Sequence, residues 1–187
     1  MPSKVNGMNL WKQGPIGDNP PTSLNMIIEA LSGSRDKYEY KSEWEAFVLD
    51  RIIPSSVVFP VDYGFVPQTW AEDNDPLDIM TLTFEPLEVG AIARVRVIGV
   101  LVIEDEEGPD MKILSVLEND ARFEGNNDIT DVHEHKLTEI QEFFTTYKRL
   151  EPHKWTKVKG WKNAQEAKKI VEASIANYKK HVEKNSL

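Results

Sequence analysis

The chain has 187 residues and carries 22 Lys plus Arg against 31 Asp plus Glu, a net charge of −9, with 40% hydrophobic residues. A chain of this size and composition buries roughly 70% of its unfolded surface, which argues against wholesale disorder and predicts one domain over residues 1–187. The absence of Cys excludes disulfides, thiolate zinc sites, iron–sulfur clusters and cysteine nucleophiles, and it suits the cytoplasm.

No basic-then-apolar segment opens the sequence, and its most apolar stretch, residues 97–103, is far shorter than the about 20 residues of a membrane helix. Neither a signal peptide nor a membrane span is expected. The Pro-rich piece at 15–21 lies too near the start to separate two domains. Further on, Lys37-Tyr38-Glu39 reads as extended, which puts Lys37 and Glu39 on one face.

The sharpest local feature is Asp73-Asn74-Asp75-Pro76-Leu77-Asp78, three carboxylates in a Pro-bounded loop that enters a strand. Hard oxygen donors at that density suit Mg²⁺ or Ca²⁺, and an acidic surface turn is the alternative. An EF-hand is a poor fit, because its Gly and terminal Glu would fall on Asp78 and Phe84.

Residues 77–84, 91–103 and 111–117 read as strands from their apolar and β-branched runs. A turn at 85–90 separates the first two, and Gly99 marks a bulge. The signal Glu106-Glu107-Gly108-Pro109 makes the last two a hairpin. Asp105 and Asp110 are expected to face each other at its mouth, with Lys112 on the same strand parity as Asp110.

The C-terminal third turns helical. Leu137, Ile140, Phe143, Phe144, Tyr147 and Leu150 recur at spacings of three and four, and Asn163 with Glu166 makes a capping start for a helix from 164 to about 181. Residues 154–187 hold nine Lys against three Glu, which leaves −15 on residues 1–153. Without Arg, and with Lys at helical spacing, this tail reads as a solvated helix face rather than a phosphate-reading arm. Nucleic acid is not an expected partner at this net charge, and His133-x-His135 without Cys or a third His carries little weight for zinc. Strands first and helices last predict an α+β barrel or sheet.

The acidic string, Lys37-Tyr38-Glu39, Asp50-Arg51, Tyr63-Gly64-Phe65, Asp105…Asp110-x-Lys112 and Tyr147-Lys148 together resemble the family I soluble inorganic pyrophosphatases. The resemblance runs from about Glu29 to Trp161-Lys162-Asn163-Ala164. It implies an OB-type five-stranded β-barrel with C-terminal helices packed on it. It also implies several Mg²⁺ ions per site, some arriving with the substrate pyrophosphate, and a homohexamer. Carried over by position, Asp73, Asp78, Asp105, Asp110 and Glu29 match metal-holding carboxylates. Asp75 matches the group that takes a proton from the attacking water. Lys37, Arg51, Lys112, Tyr147 and Lys148 match phosphate-binding positions, and Glu39 and Tyr63 supporting ones. Phe59 departs, standing where the family often has Tyr.

That assignment implies in-line attack by a metal-activated water or hydroxide, with no covalent intermediate. Phosphoanhydride hydrolysis needs both neutralised phosphate charge and an acidified water, which a pair of metals can supply. A P-loop is absent: no Gly-x-x-x-x-Gly-Lys-Ser/Thr occurs. The rival readings are a non-catalytic OB-like module that holds a divalent cation or a partner, and a metal-dependent phosphomonoesterase or nuclease.

Overall fold

The computed structural model describes residues 8–184. In chain order the elements are α1 (Leu10–Gln13), β1 (Ser23–Ala30), β2 (Asp36–Lys41), β3 (Ala46–Ile52), β4 (Asp62–Phe65), β5 (Asp78–Leu82), β6 (Ile92–Asp105), β7 (Gly108–Leu117), α2 (Glu134–Thr146), β8 (Thr156–Asn163) and α3 (Ala164–Lys184).

Five strands close on themselves. β1 pairs with β4, β4 with β5, β5 with β7, β7 with β6, and β6 returns to β1. All these pairings are antiparallel except β5 with β7, which is parallel. This is the five-stranded, partly open barrel of the OB type. Closure removes free edges, apart from the stretch of β6 on which β8 pairs as a sixth strand. The β2–β3 ribbon forms a separate two-stranded sheet.

The strands read as continuous apolar runs because both of their faces are buried. Met80, Leu101, Ile103 and Leu114 join a core with Ile140, Phe143 and Phe144 of α2. Their neighbours Ile79, Val100 and Ile113 belong to a second core with Ala167 and Val171 of α3. The period-2 alternation of a strand thus splits consecutive residues between two helices.

Gly64 sits where β4 crosses β1 so closely that a Cβ there would lie 1.8 Å from the Ile27 carbonyl oxygen. Only Gly fits. Gly108, at φ +120°, closes the two-residue turn between β6 and β7. The bulge expected at Gly99 is present as a register shift between Val97 and Gly99.

Two expectations need correction. The hairpin register pairs Asp105 with Gly108 and Asp110 with Ile103, so the two aspartates share a face diagonally and do not sit opposite each other. Nor do helices follow strands cleanly. Residues 156–163, expected within a basic helical tail, form β8 along β6. Their Lys-Val-Lys-Gly-Trp-Lys alternation has the period of a strand. The capping start of α3 is borne out, with the Glu166 amide donating to Asn163 Oδ1 at 3.1 Å. α2 ends at Thr146, with Tyr147 as its C-cap and Leu150 exposed beyond it.

Candidate active site

The parallel register of β5 and β7 builds the centre. Ile79 is paired with Ile113, so the residues just before them, Asp78 and Lys112, emerge side by side on one face. Asp110, two before Lys112, and Tyr63, which pairs with Met80 two beyond Asp78, take the same face. The Lys112 ammonium therefore meets the Asp78 carboxylate, Asp110 Oδ1 at 2.7 Å and the Tyr63 hydroxyl at 3.2 Å. Lys112 is only 4% exposed.

The loop before β5 swings Asp73 and Asp75 to the same place. Asp73 Oδ1 accepts the Asp75 amide at 3.2 Å, with Asn74 at φ +66° between them. Oxygens of Asp73, Asp78 and Asp110 lie within 4.8 Å of one another. Asp105 and Glu29 stand apart from that trio. Asp105 Oδ2 is 2.7 Å from Lys148 Nζ, and Glu29 Oε1 accepts the Tyr40 amide at 2.7 Å. The β2–β3 ribbon supplies the opposite wall: Lys37 and Lys41 grip the two oxygens of Glu39 at 2.7 and 2.6 Å, and Arg51 faces the same space.

All thirteen residues singled out in the sequence line one cleft of about 580 Å³. Phe59 lines it too, buried and packed on Phe143 at 4.8 Å between ring centroids. Sequence reasoning missed Lys41 and Lys154. Lys41 continues the Lys37, Glu39 alternation of β2, a readable signal, whereas Lys154 is brought in only by the loop after α2. Trp11, Trp70 and His181 line the cleft as well. His133 is the N-cap of α2, its Nδ1 accepting the His135 amide at 3.2 Å.

Burial, and then crowding, perturbs the acids. Burial pushes Glu29 up to about 8, despite the Tyr40 amide and the Lys37 charge. Burial and the neighbouring charges of Asp78 and Asp110 push Asp73 up to about 7. Asp75 is raised by burial and by Asp78, and Asp110 by burial in spite of Lys112. Burial acts in the same sense on Glu39, but the charge and hydrogen bond of Lys37, with those of Lys41, overcome it and hold Glu39 at about 2. Lys112 stays well above its ordinary range: burial works against its charge, but Asp110 and Asp78 prevail.

Carboxylates whose pKa is raised first by burial and then by one another's charge are a site short of positive charge. Three hard-oxygen donors within one ion's reach fit a small divalent cation. The cations Lys37, Arg51, Lys112 and Lys148 around the same cleft fit an anion as well. Fold and site together define an OB-type barrel whose cleft sets a cluster of carboxylate donors beside a ring of cationic side chains.

The family described as inorganic pyrophosphatase matches residues 26–179. An inorganic pyrophosphatase from Thermus thermophilus is 46% identical over 170 residues, covering 90% of this chain and 97% of that protein. One from Campylobacter jejuni is 43% identical over 174 residues, covering 92% of this chain and 100% of that protein. The crystal structure of an inorganic pyrophosphatase from Thermus thermophilus superposes with a TM-score of 0.90 at 46% identity, covering 92% of this chain and 99% of that one. The chain belongs to the inorganic pyrophosphatase family, a family of metal-dependent hydrolases.

Proposed function

We propose that this chain hydrolyses inorganic pyrophosphate to two orthophosphates, with Mg²⁺ held by Asp73, Asp78 and Asp110 and further ions reaching Asp105 and Glu29. The observation that carries the reading is the single cleft that gathers these carboxylates with Lys37, Arg51, Lys112, Tyr147 and Lys148. A module that only held a cation would have no use for that ring of cationic and hydroxyl donors. Magnesium bound there supplies neutralisation of phosphate charge and a lowered pKa for coordinated water.

The chain's own groups account for the remainder. Lys37, Arg51, Lys112 and Lys148 bind the phosphate oxygens and oppose the charge that grows on the leaving phosphate. The Tyr147 hydroxyl, whose pKa burial moves further above neutrality, donates to the same oxygens. Asp75 takes a proton on its carboxylate from the attacking water, and burial brings its basicity nearer to that task. The water oxygen bonds to one phosphorus in line with the bridging oxygen, whose bond breaks, and two orthophosphates leave without a covalent enzyme intermediate. Glu39 orients Lys37 and Lys41, and Tyr63 orients Lys112.

The enzyme acts as one domain over residues 1–187, as a homohexamer in the cytoplasm. Among the described residues no helix is long and apolar enough to cross a membrane. Mass in solution tests the hexamer. The activity is tested by comparing phosphate release from pyrophosphate, ATP and a phosphate monoester with Mg²⁺. Pyrophosphate should be preferred by orders of magnitude. Equal rates on all three would favour a general phosphohydrolase, and no turnover with Mg²⁺ or Mn²⁺ would favour the cation-binding module.

A further inference from the structure

Arg51 is the one cleft cation in the assigned set that lies on β3, in the ribbon outside the barrel sheet. A long side chain on a separate two-stranded sheet needs an external anchor if its guanidinium is to meet a phosphate in a fixed geometry. The anchor is Glu151, in the loop that follows α2 and 100 residues away in sequence: Arg51 Nη1 lies 3.2 Å from Glu151 Oε2. Arg51 lines the cleft and Glu151 does not, so the carboxylate stands behind the guanidinium.

The contact is one-sided. Glu151 Oε1 and Arg51 Nε are both buried without a hydrogen-bond partner, and Asp50 approaches Nε only to 3.6 Å. A pair kept for stability alone would close the fork bidentately and satisfy both atoms. Here a single Nη is held, leaving the rest of the planar fork uncommitted to Glu151. The same Glu151 oxygen is 3.5 Å from Lys154, a second cation that lines the cleft. Its backbone amide donates to the Lys148 carbonyl at 2.9 Å, which ties it to the loop that carries Tyr147 and Lys148.

We propose that Glu151 is a positioning residue for pyrophosphate binding: from behind the cleft it fixes the Arg51 guanidinium, and so sets the ribbon in register with the Tyr147-Lys148 loop. This rests on the reading of Arg51 as a phosphate-binding group. Glu151 touches neither substrate nor the reacting water; it acts through Arg51, whose grip on the phosphate is made in the ground state and kept in the transition state, so its loss shows in KM before kcat.

The test is a double-mutant cycle of Glu151→Gln and Arg51→Ala, read as KM and kcat for pyrophosphate with Mg²⁺ and as the dissociation constant of inorganic phosphate by calorimetry. Glu151→Gln should raise KM about tenfold with kcat within about twofold of the unaltered enzyme, because a loosened guanidinium loses binding shared by the ground and transition states. In the Arg51→Ala background the same change should add nothing. A merely structural role would lower kcat through a smaller active fraction and leave KM alone. Unchanged KM, or an equal effect with and without Arg51, would overturn the proposal. Should Glu151→Gln not fold, Glu151→Asp, which keeps the charge and withdraws it by one methylene, should give an intermediate rise in KM; no rise would overturn it as well. If the unaltered protein does not hydrolyse pyrophosphate, the substrate reading fails on its own account. The phosphate-binding cycle then still judges the coupling of Glu151 to Arg51.

Discussion

Replacing Lys112 by Met keeps the apolar stem in place and deletes one charge. In the metal-free protein that charge is the contact shared by Asp78, Asp110 and the Tyr63 hydroxyl, at a position 4% exposed. Its loss leaves two carboxylates facing each other without a counter-ion, and breaking a buried pair by removing one partner costs about 3–5 kcal/mol. At about 2–4 °C per kcal/mol for a chain of this length, Lys112→Met should melt roughly 6–20 °C lower in EDTA at pH 8. The carboxylates it frees are candidate magnesium donors, so millimolar Mg²⁺ should recover at least half of the deficit. Pyrophosphate turnover should still fall, since a phosphate-binding cation is gone. Thermal unfolding followed by Trp fluorescence, with and without Mg²⁺, reads both effects. A metal-free melting temperature within about 2 °C of the unaltered protein would refute the reasoning, because the ammonium would then not be holding the acidic centre together.

The raised acids make a pH prediction. Glu29 at about 8 and Asp73 at about 7 bind protons in the folded state that the unfolded chain, with ordinary values of 4.5 and 3.8, has already released. Their contribution to stability is complete below the unfolded values and is lost as pH rises through the folded ones. In EDTA the protein should therefore become less stable between about pH 5 and 8. Glu39 is lowered, and its opposite effect falls below that window. Saturating Mg²⁺ should flatten or reverse the slope, and denaturant unfolding at several pH values checks the sign. Separately, Gly64→Ala should cost at least about 3 kcal/mol or prevent folding, because the new Cβ meets the Ile27 carbonyl, a backbone group that cannot swing aside. Unchanged urea stability would contradict the close crossing of β4 over β1.

How much of this was legible in the sequence depends on the range of the interaction. β6 and β7 were readable because their apolar runs, the Glu106-Glu107 turn and the Gly99 bulge are all local signals. The parallel pairing of β5 with β7, which brings Asp78 to Lys112, joins residues 34 apart and leaves no local trace. β8 was hidden by its lysines: the composition suggested a solvated helix, whereas the two-residue alternation of Val158, Gly160 and Lys162 with Lys157, Lys159 and Trp161 belongs to a strand at the margin of the sheet. The site residues were found by family resemblance, and the cleft gathers all of them. Glu151 was not found, since a lone Glu in a turn has no meaning until β3 brings Arg51 across to it.

Phosphate release from pyrophosphate with Mg²⁺, comparing the purified protein with its Asp75→Asn variant, tests the central claim most directly. Two phosphates should appear per pyrophosphate consumed, and the variant, which keeps the shape but cannot take up the water's proton, should be slower by about 10²–10⁴-fold. Turnover that survives the substitution intact would remove Asp75 from its role. No turnover in the unaltered protein, with either Mg²⁺ or Mn²⁺, would contradict the account as a whole.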